Sequence, residues 1–145
     1  MPATYRTYQI LVVEDNEGDR HLIVEAFKEC GLHCVLSLAG TVSSALELLR
    51  EHGFDLIITD MSVPNGEAKS GLIETVRSDN RWKATPIIVL SGAYNALPAY
   101  EAGANAFISK SMDMDEFFER IRALMRFWTE VAELPRPSQA SKSKG

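Results

Sequence analysis

The chain has 145 residues, of which 46% are hydrophobic and 24% charged, and its formal net charge at pH 7 is −5. This length supports one domain with a buried core, and the composition is typical of a globular protein rather than a disordered or fibrous one. The acidic balance argues against a basic surface for nucleic acid or anionic lipid, and no apolar run approaches the roughly 20 residues that cross a bilayer. We therefore expect a cytoplasmic protein that binds neither nucleic acid nor membrane.

Short apolar runs alternate along the chain with longer helical patterns. The run at residues 10–13 is rich in β-branched residues and contains no polar position, which predicts a strand buried on both faces. Four later runs of mainly apolar residues predict four further strands, at residues 34–39, 56–59, 86–90 and 106–109.

Apolar residues at helical spacing follow each predicted strand. Thr41 or Ser43 is expected to cap the second helix, and Gly53 to end it. The last helix begins between residues 112 and 115 and runs to about Glu133, because Pro135 stops it. The other helical patterns are found around residues 22–27, 45–49, 72–76 and 96–102.

Five alternating strand and helix patterns predict an α/β fold, a doubly wound parallel sheet of five strands with helices on both faces. We expect this domain to span residues 8–134, including an extended last helix. An N-terminal arm at residues 1–7 would precede it, and a Ser- and Lys-rich disordered tail at residues 135–145 would follow. No second domain is expected, so the output of the protein would be a contact with another protein.

Polar side chains stand at the carboxyl ends of four of the predicted strands. Glu14 and Asp15 follow the first strand, Asp60 the third, Ser91 the fourth and Lys110 the fifth. In a sheet of this type, ligands bind outside the carboxyl ends of the strands, at the switch point in strand order. The sequence therefore predicts one site at this edge of the sheet.

Carboxylates gathered at one edge repel each other. At about 5 Å and an effective dielectric of about 20, each pair costs roughly 3 kcal/mol. A divalent cation removes that cost, and an all-oxygen site suits Mg²⁺. Asp60 is then the candidate nucleophile towards a phosphoryl group, with Lys110 neutralising the phosphoryl oxygens and the Ser91 hydroxyl donating a hydrogen bond to one of them.

Four segments of the chain resemble the receiver domains of bacterial two-component response regulators. They are Val13-Glu14-Asp15-Asn16, Asp60 with Pro64 four residues later, Leu90-Ser91-Gly92-Ala93, and Phe107-Ile108-Ser109-Lys110-Ser111. The resemblance covers residues 8 to about 126, and it implies a flavodoxin-like (βα)5 sheet in the order 2-1-3-4-5. It also implies that Asp60 accepts a phosphoryl group from the phosphohistidine of a sensor histidine kinase.

The same resemblance assigns roles to the remaining site residues. Asp15 and Asp60 would hold Mg²⁺, with Glu14 acting through water and the Ser62 carbonyl as a further ligand. Ser91 and Phe107 would form the switch pair, in which the ring fills the space that the Ser91 hydroxyl leaves. The loop after Asp60 is a few residues longer than usual in that family.

Ser62 and Ala93 occupy the two positions that resemble those tuning dephosphorylation in receiver domains. Neither residue bears a carboxylate or amide that orients an attacking water. The phosphoaspartate is therefore expected to hydrolyse slowly.

The last helical pattern continues beyond the usual end of a receiver domain. Phe127, Trp128 and Leu134 are apolar residues in this extension, and exposed apolar patches mark interfaces. The alternative is that they fold back on the domain. The Phe-Trp and Leu-Pro pairs also resemble the extension of stand-alone regulators that serve phytochromes, which implies a homodimer and a bacteriophytochrome as phosphodonor.

Other functions are compatible with parts of this pattern. An aspartate-nucleophile phosphatase would need a second Asp two residues after Asp60, where Ser62 stands. A flavodoxin-like cofactor binder would need a phosphate loop after the first strand, where the acidic Glu14-Asp15 pair would repel phosphate. A receiver that has lost phosphorylation is disfavoured by the complete set of site residues. A relay role, passing phosphate to a histidine phosphotransfer protein, stays open.

Overall fold

The structure is a computed structural model, which describes residues 6–93, 95–110 and 113–135. Its five strands are all parallel and form one sheet in the order β2-β1-β3-β4-β5. The strands are β1 (Tyr8–Val13), β2 (Cys34–Ala39), β3 (Leu56–Thr59), β4 (Ile87–Ser91) and β5 (Ala106–Ser109). The predicted fold class and strand order are confirmed.

The helices alternate with the strands, as the apolar spacing predicts. They are α1 (Glu17–Glu29), α2 (Val42–Glu51), α3 (Leu72–Ser78), α4 (Leu97–Ala102) and α5 (Met114–Arg126). Of the two expected caps for α2, Thr41 is the N-cap, because its hydroxyl accepts a hydrogen bond from the Ser44 N–H at 3.0 Å. Among the described residues, no helix has the length and apolar character to cross a membrane.

The sheet separates two apolar clusters, one on each face. The strands alternate between them: the side chains of Leu11 and Ile57 enter the cluster that includes α2 and α3, whereas Ile10 and Ile58 enter the one that includes α1 and α5. All four of these side chains are fully or almost fully buried. Strands buried on both faces have no polar position along their length, so the polar residues fall at their ends.

The register of the central strands brings their carboxyl ends level. Val13 of β1 pairs with Thr59 of β3, and the Asp60 N–H donates a hydrogen bond to the Val13 carbonyl at 3.1 Å. Where β4 and β5 end, the Lys110 N–H donates a hydrogen bond to the Ser91 carbonyl at 2.9 Å. The residues directly after β1, β3 and β5 are thereby fixed along one rim.

The long loop at residues 62–70 packs on the N-terminal end of α2. The N–H of Val42 donates to the Pro64 carbonyl at 2.9 Å, and the N–H of Ser43 to the Asn65 carbonyl at 3.1 Å. These are N–H groups without a partner inside the helix, so the loop supplies the acceptors that a helix N-terminus needs. The loop thus has a structural role in capping α2, and α3 begins at Leu72 after it.

The C-terminal end differs in part from the prediction. Helix α5 continues as one π-helical turn, Phe127–Val131, and the helical segment ends there, two residues before the predicted end. Phe127 is 48% exposed, but Trp128 packs against the cluster beneath α5 and Leu134 is buried. The expectation that all three residues project from the domain is therefore wrong for Leu134, which the chain after the helix turns back onto the body.

The termini are described only near the domain. Arg6, in the predicted arm, forms an ion pair of 2.8 Å with the buried Asp55 and joins the end of the arm to the start of β3. Residues 1–5 of the predicted arm lie outside the described residues. The predicted tail lies outside them from residue 136 onwards. Residues 111 and 112 are also outside the described part, and residue 112 is the earliest predicted start of α5.

Candidate functional site

Two acidic residues meet where β1 and β3 end. Glu14 follows β1 directly and its side chain is 2% exposed, while Asp60 follows β3 and its side chain is 10% exposed. The Asp60 carboxylate accepts hydrogen bonds from the N–H and the hydroxyl of Ser62, at 3.2 and 3.4 Å. The first turn of the following loop therefore fixes one oxygen of Asp60 and leaves the other directed at the rim.

The ammonium group of Lys110, the residue directly after β5, lies among the carboxylates of Glu14, Asp60 and Asp19, which together form the acidic centre. Its Nζ lies 2.9 Å from Glu14 Oε1, 2.7 Å from Asp60 Oδ2 and 2.7 Å from Asp19 Oδ2. The Lys110 side chain is 18% exposed, so these are charge-assisted hydrogen bonds in a partly desolvated setting. The structure thus brings together Glu14, Asp60 and Lys110 as the sequence predicts, and adds Asp19.

The proton affinities of the three central groups follow from this arrangement. Burial raises the pKa of Glu14, and the hydrogen bond from Lys110 offsets only part of that effect. Burial also acts to raise the pKa of Asp60, but hydrogen bonds from Lys110 and from the Ser62 backbone outweigh it and lower that pKa. For Lys110 the burial effect is reversed by its carboxylate partners, which raise its pKa. Asp60 is therefore an ionised carboxylate at neutral pH, as a nucleophile must be.

The acidic centre has the ligand chemistry of a hard divalent cation. Glu14, Asp19 and Asp60 each offer a carboxylate oxygen, and these oxygens all lie within 4.8 Å of one another. Oxygen donors of this kind suit Mg²⁺ or Mn²⁺. Asp15 is exposed at the end of β1 and is not one of the three. Its role as a metal ligand, and that of the Ser62 carbonyl, stay predictions.

Asp19 is the residue that reasoning from the sequence missed. It lies in the first turn of α1, where acidic residues are common because they favour the helix dipole. Because Asp19 lies three residues after the N-cap Asn16, its presence is explained by the start of the helix alone. The sequence pattern therefore did not indicate that Asp19 lies close to the ends of β1 and β3. A signal was present, since the first turn of the helix that follows β1 must lie at the same rim as Glu14.

The predicted switch residues occupy β4 and β5. Ser91 is buried, and its hydroxyl accepts a hydrogen bond from the Ala93 N–H at 3.1 Å. Phe107 is partly buried and packs against the cluster that includes α2 and α3. The two residues lie on paired strands, since Val89 pairs with Phe107 two residues before Ser91. Their function as a switch stays a prediction.

A small cleft opens beside the acidic centre. Its volume is about 150 Å³, and its lining includes Asp60, Leu72 and Ala102. Sites for drug-sized or cofactor-sized ligands are typically about 300–1,000 Å³. This cleft is therefore better matched to a phosphoryl group than to a flavin or nucleotide, which disfavours the cofactor-binding alternative.

The chain belongs to the response regulator receiver domain family, whose model matches residues 10–122. The fold is thus that of a receiver domain, as the sequence motifs suggested.

Among curated proteins, the chain is similar to Response regulator Rcp1 of Synechocystis sp., with 26% identity over 136 residues that cover 87% of this chain and 92% of Rcp1. It is also 36% identical over 102 residues to the transcriptional regulatory protein KdpE of Mycobacterium tuberculosis, covering 68% of this chain but only 43% of KdpE. The chain thus spans most of Rcp1, but under half of this longer transcriptional regulator.

Solved structures of response regulators have a similar fold. The phosphorylated cyanobacterial phytochrome response regulator RcpA has a TM-score of 0.79 and 28% identity, covering 90% of this chain and 99% of RcpA. The Mn²⁺-bound form of Rcp1 has a TM-score of 0.75 at 24% identity, covering 88% of this chain and 99% of Rcp1, and at that identity it supports the fold alone.

Proposed function

We propose that this receiver domain accepts a phosphoryl group on Asp60 and signals by changing its contacts with other proteins. The observation that carries the proposal is the ionised Asp60 carboxylate, held 2.7 Å from the Lys110 ammonium at the open rim of the sheet. An oxygen of Asp60 attacks the phosphorus of a phosphohistidine, an O–P bond forms and the P–N bond breaks, and the departing imidazole nitrogen takes up a proton.

The residues around Asp60 have separate tasks in this transfer. Lys110 stabilises the negative charge of the phosphoryl oxygens, and the hydroxyl of Ser91, on the neighbouring strand, donates a hydrogen bond to one of them. Of the carboxylates in the acidic centre, Glu14 and Asp60 are the proposed ligands of Mg²⁺, with Asp15 as a further ligand. When bound, the cation neutralises charge on the reacting phosphoryl group.

The experiment is to incubate the protein with acetyl phosphate and Mg²⁺ and to measure its intact mass. We expect the gain of one phosphoryl group, lost on treatment with hydroxylamine, and no gain in Asp60→Asn. Asp79→Asn is the matched control, because it removes an aspartate that caps α3 near the opposite ends of the strands. A gain that persists in Asp60→Asn, or no gain in the wild-type protein, would contradict the proposal.

We further propose that the phosphodonor is a phytochrome-type histidine kinase. The support is the similarity to RcpA, a cyanobacterial phytochrome response regulator, of which the chain covers 99% at 28% identity. Transfer from an autophosphorylated bacteriophytochrome should be at least about a hundredfold faster than transfer from a histidine kinase without a photosensor. Equal rates from the two kinases would refute this assignment and leave Asp60 phosphorylation untouched.

A homodimer is the third part of the proposal. Among the described residues, five of the eight most exposed large hydrophobic side chains lie on α4, α5 and the π-helical turn: Leu97, Tyr100, Met114, Phe127 and Val131. An open hollow of about 480 Å³ also lies between β5 and α5. Apolar surface concentrated at one edge of the sheet favours a partner of the same kind, and a second copy of the chain offers it.

A further inference from the structure

Asp19 contributes a contact that the sequence motifs of the site do not include. Its Oδ2 lies 2.7 Å from Lys110 Nζ, as close as the Asp60 carboxylate does. Asp19 also differs from the other two partners of Lys110 in its surroundings, because its side chain is 42% exposed whereas that of Glu14 is 2% exposed. One of the three acids around Lys110 is thus hydrated, and the other two are largely buried.

The start of α1 fixes the position of Asp19. Asn16 is the N-cap of this helix, and its side-chain oxygen accepts a hydrogen bond from the Asp19 N–H at 2.8 Å. Glu14 is tied to the same turn, since its Oε2 accepts a hydrogen bond from the Asn16 N–H at 3.1 Å. The Asp19 carboxylate is therefore presented from a fixed backbone rather than from a mobile loop.

The hydrogen-bonding capacity of Lys110 gives this contact a function. An ammonium group has three N–H donors, and here Glu14, Asp19 and Asp60 accept all three. Phosphorylation of Asp60 converts its carboxylate to an acyl phosphate and requires Lys110 to turn to the phosphoryl oxygens. A bound cation also competes for the oxygens of Glu14 and Asp60. Asp19 is the partner best able to keep its hold on Lys110 while the other two change.

We propose that Asp19 is a positioning residue for phosphoryl transfer, which anchors the Lys110 ammonium group beside Asp60 before and during the reaction. This inference rests on the proposed function of Asp60. Asp19 acts through Lys110 and does not itself touch the phosphoryl group. Without Asp19 the lysine side chain samples more positions, and fewer encounters with a phosphodonor find its charge in place.

The anchoring is tested by NMR of the Lys110 ammonium group. An ammonium held by three carboxylates exchanges its protons with water slowly enough to give a signal, which Lys110→Met assigns by removing it. We expect Asp19→Asn to broaden or abolish the signal, and Asp19→Glu, which keeps the charge, to restore part of it. Glu17→Gln is the matched control, since it removes an exposed acid from the same helix turn. An unchanged signal in Asp19→Asn would overturn the proposal.

The role in the reaction is tested by a double-mutant cycle with acetyl phosphate as donor. Asp19→Asn should slow phosphorylation about tenfold, the order expected for one charge-assisted hydrogen bond, and Glu17→Gln should not. In the Lys110→Met background, Asp19→Asn should have no further effect, because its only route of action has been removed. An equal tenfold loss in that background would overturn the proposal, because Asp19 would then act without Lys110.

Binding of Mn²⁺ alone, followed by its electron paramagnetic resonance signal, separates anchoring from direct metal ligation. If Asp19 only anchors the lysine, adding Asp19→Asn to the Lys110→Met variant should change its affinity for Mn²⁺ by less than about threefold. A loss of about a hundredfold there would mark Asp19 as a metal ligand and refute the anchoring role. If the wild-type protein accepts no phosphoryl group, both the proposed function and the role of Asp19 in phosphoryl transfer are refuted. The NMR signal would still report separately whether Asp19 holds Lys110.

Discussion

The hydroxyl oxygen of Tyr100 accepts a hydrogen bond from the backbone N–H of Phe107 at 3.1 Å. The donor belongs to β5, which is an edge strand of the sheet, and the acceptor to α4. The N–H of Phe107 therefore points to the outer edge of β5, where an unpaired strand presents its donors. This bond ties α4 to the strand that carries the predicted switch residue, on the same side of the domain as the proposed dimer surface.

Tyr100→Phe removes this bond and little else. A typical hydrogen bond contributes about 1 kcal/mol, so the Phe107 amide should exchange with solvent about fivefold faster. The free energy of unfolding should fall by no more than about 1 kcal/mol, because Tyr100 is half exposed. Hydrogen exchange followed by NMR measures the effect, and the Ile88 amide in the interior strand β4 serves as the internal control. Unchanged exchange at Phe107 would show that the bond does not hold in solution.

Gly66 lies where the long loop meets α2, at a position that favours glycine. Its φ is +63°, and a Cβ added there would lie 2.3 Å from the Ser43 hydroxyl oxygen. Gly31 is a matched case, with φ of +72° and no atom within 4 Å of the added Cβ. The two positions share the cost of a left-handed backbone and differ in the steric clash.

Gly66→Ala should therefore destabilise the protein more than Gly31→Ala. We expect losses of about 1 kcal/mol for Gly31→Ala, from the backbone alone, and about 2–4 kcal/mol for Gly66→Ala, measured by urea unfolding. Ser43→Ala removes the clashing oxygen, so the added cost of Gly66→Ala should shrink in that background. Equal losses for the two glycine variants would show that the loop moves away from α2 without cost.

Phe127 is the best probe of the proposed dimer. It is 48% exposed, and its ring meets that of Trp128 edge to face at a centroid distance of 5.2 Å. Trp128 packs against the cluster beneath α5, so its removal would disturb folding as well as association. Phe127→Ser leaves that packing in place and should weaken the dimer at least tenfold, because exposed aromatic residues at such surfaces are typical binding hot spots.

Leu38→Ser is the control for this variant. Leu38 is 45% exposed and lies on β2, at the opposite edge of the sheet. Sedimentation velocity over a range of concentrations distinguishes monomer from dimer. A wild-type protein that stays monomeric, or equal weakening by both substitutions, would exclude the surface at β5 and α5.

The sequence was sufficient to predict the strands and the rim, for a physical reason. Strands buried on both faces are mainly apolar runs, so the polar residues that follow them mark where each strand ends. Because the carboxyl ends of parallel strands lie at one edge of the sheet, Glu14, Asp60 and Lys110 are predicted to lie together. Asp19 and Leu134 were not predictable in this way. An acid in a first helical turn looks like a capping residue, and the return of Leu134 to the core depends on the path of the chain after Val131, which no local pattern specifies.

We predict that the lifetime of a phosphorylated Asp60 depends on Ser62, the residue two positions later. Ser62 is exposed, and its hydroxyl lies 3.4 Å from Asp60 Oδ1, so it stands beside the predicted phosphoryl group without a carboxylate to orient water. The aspartyl phosphate should therefore persist for minutes or longer. Ser62→Glu supplies a carboxylate at this position and should shorten the lifetime at least about tenfold, as general base catalysis contributes.

Met61→Glu is the matched variant, because Met61 is exposed in the same loop and the substitution adds the same charge one residue earlier. If orientation of water is what Ser62 lacks, Met61→Glu should change the lifetime less than threefold. Decay of the phosphorylated protein, followed by intact mass after removal of acetyl phosphate, gives both lifetimes. A wild-type lifetime of seconds, or equal acceleration by both variants, would show that residue 62 does not control hydrolysis and that solvent access alone sets the rate.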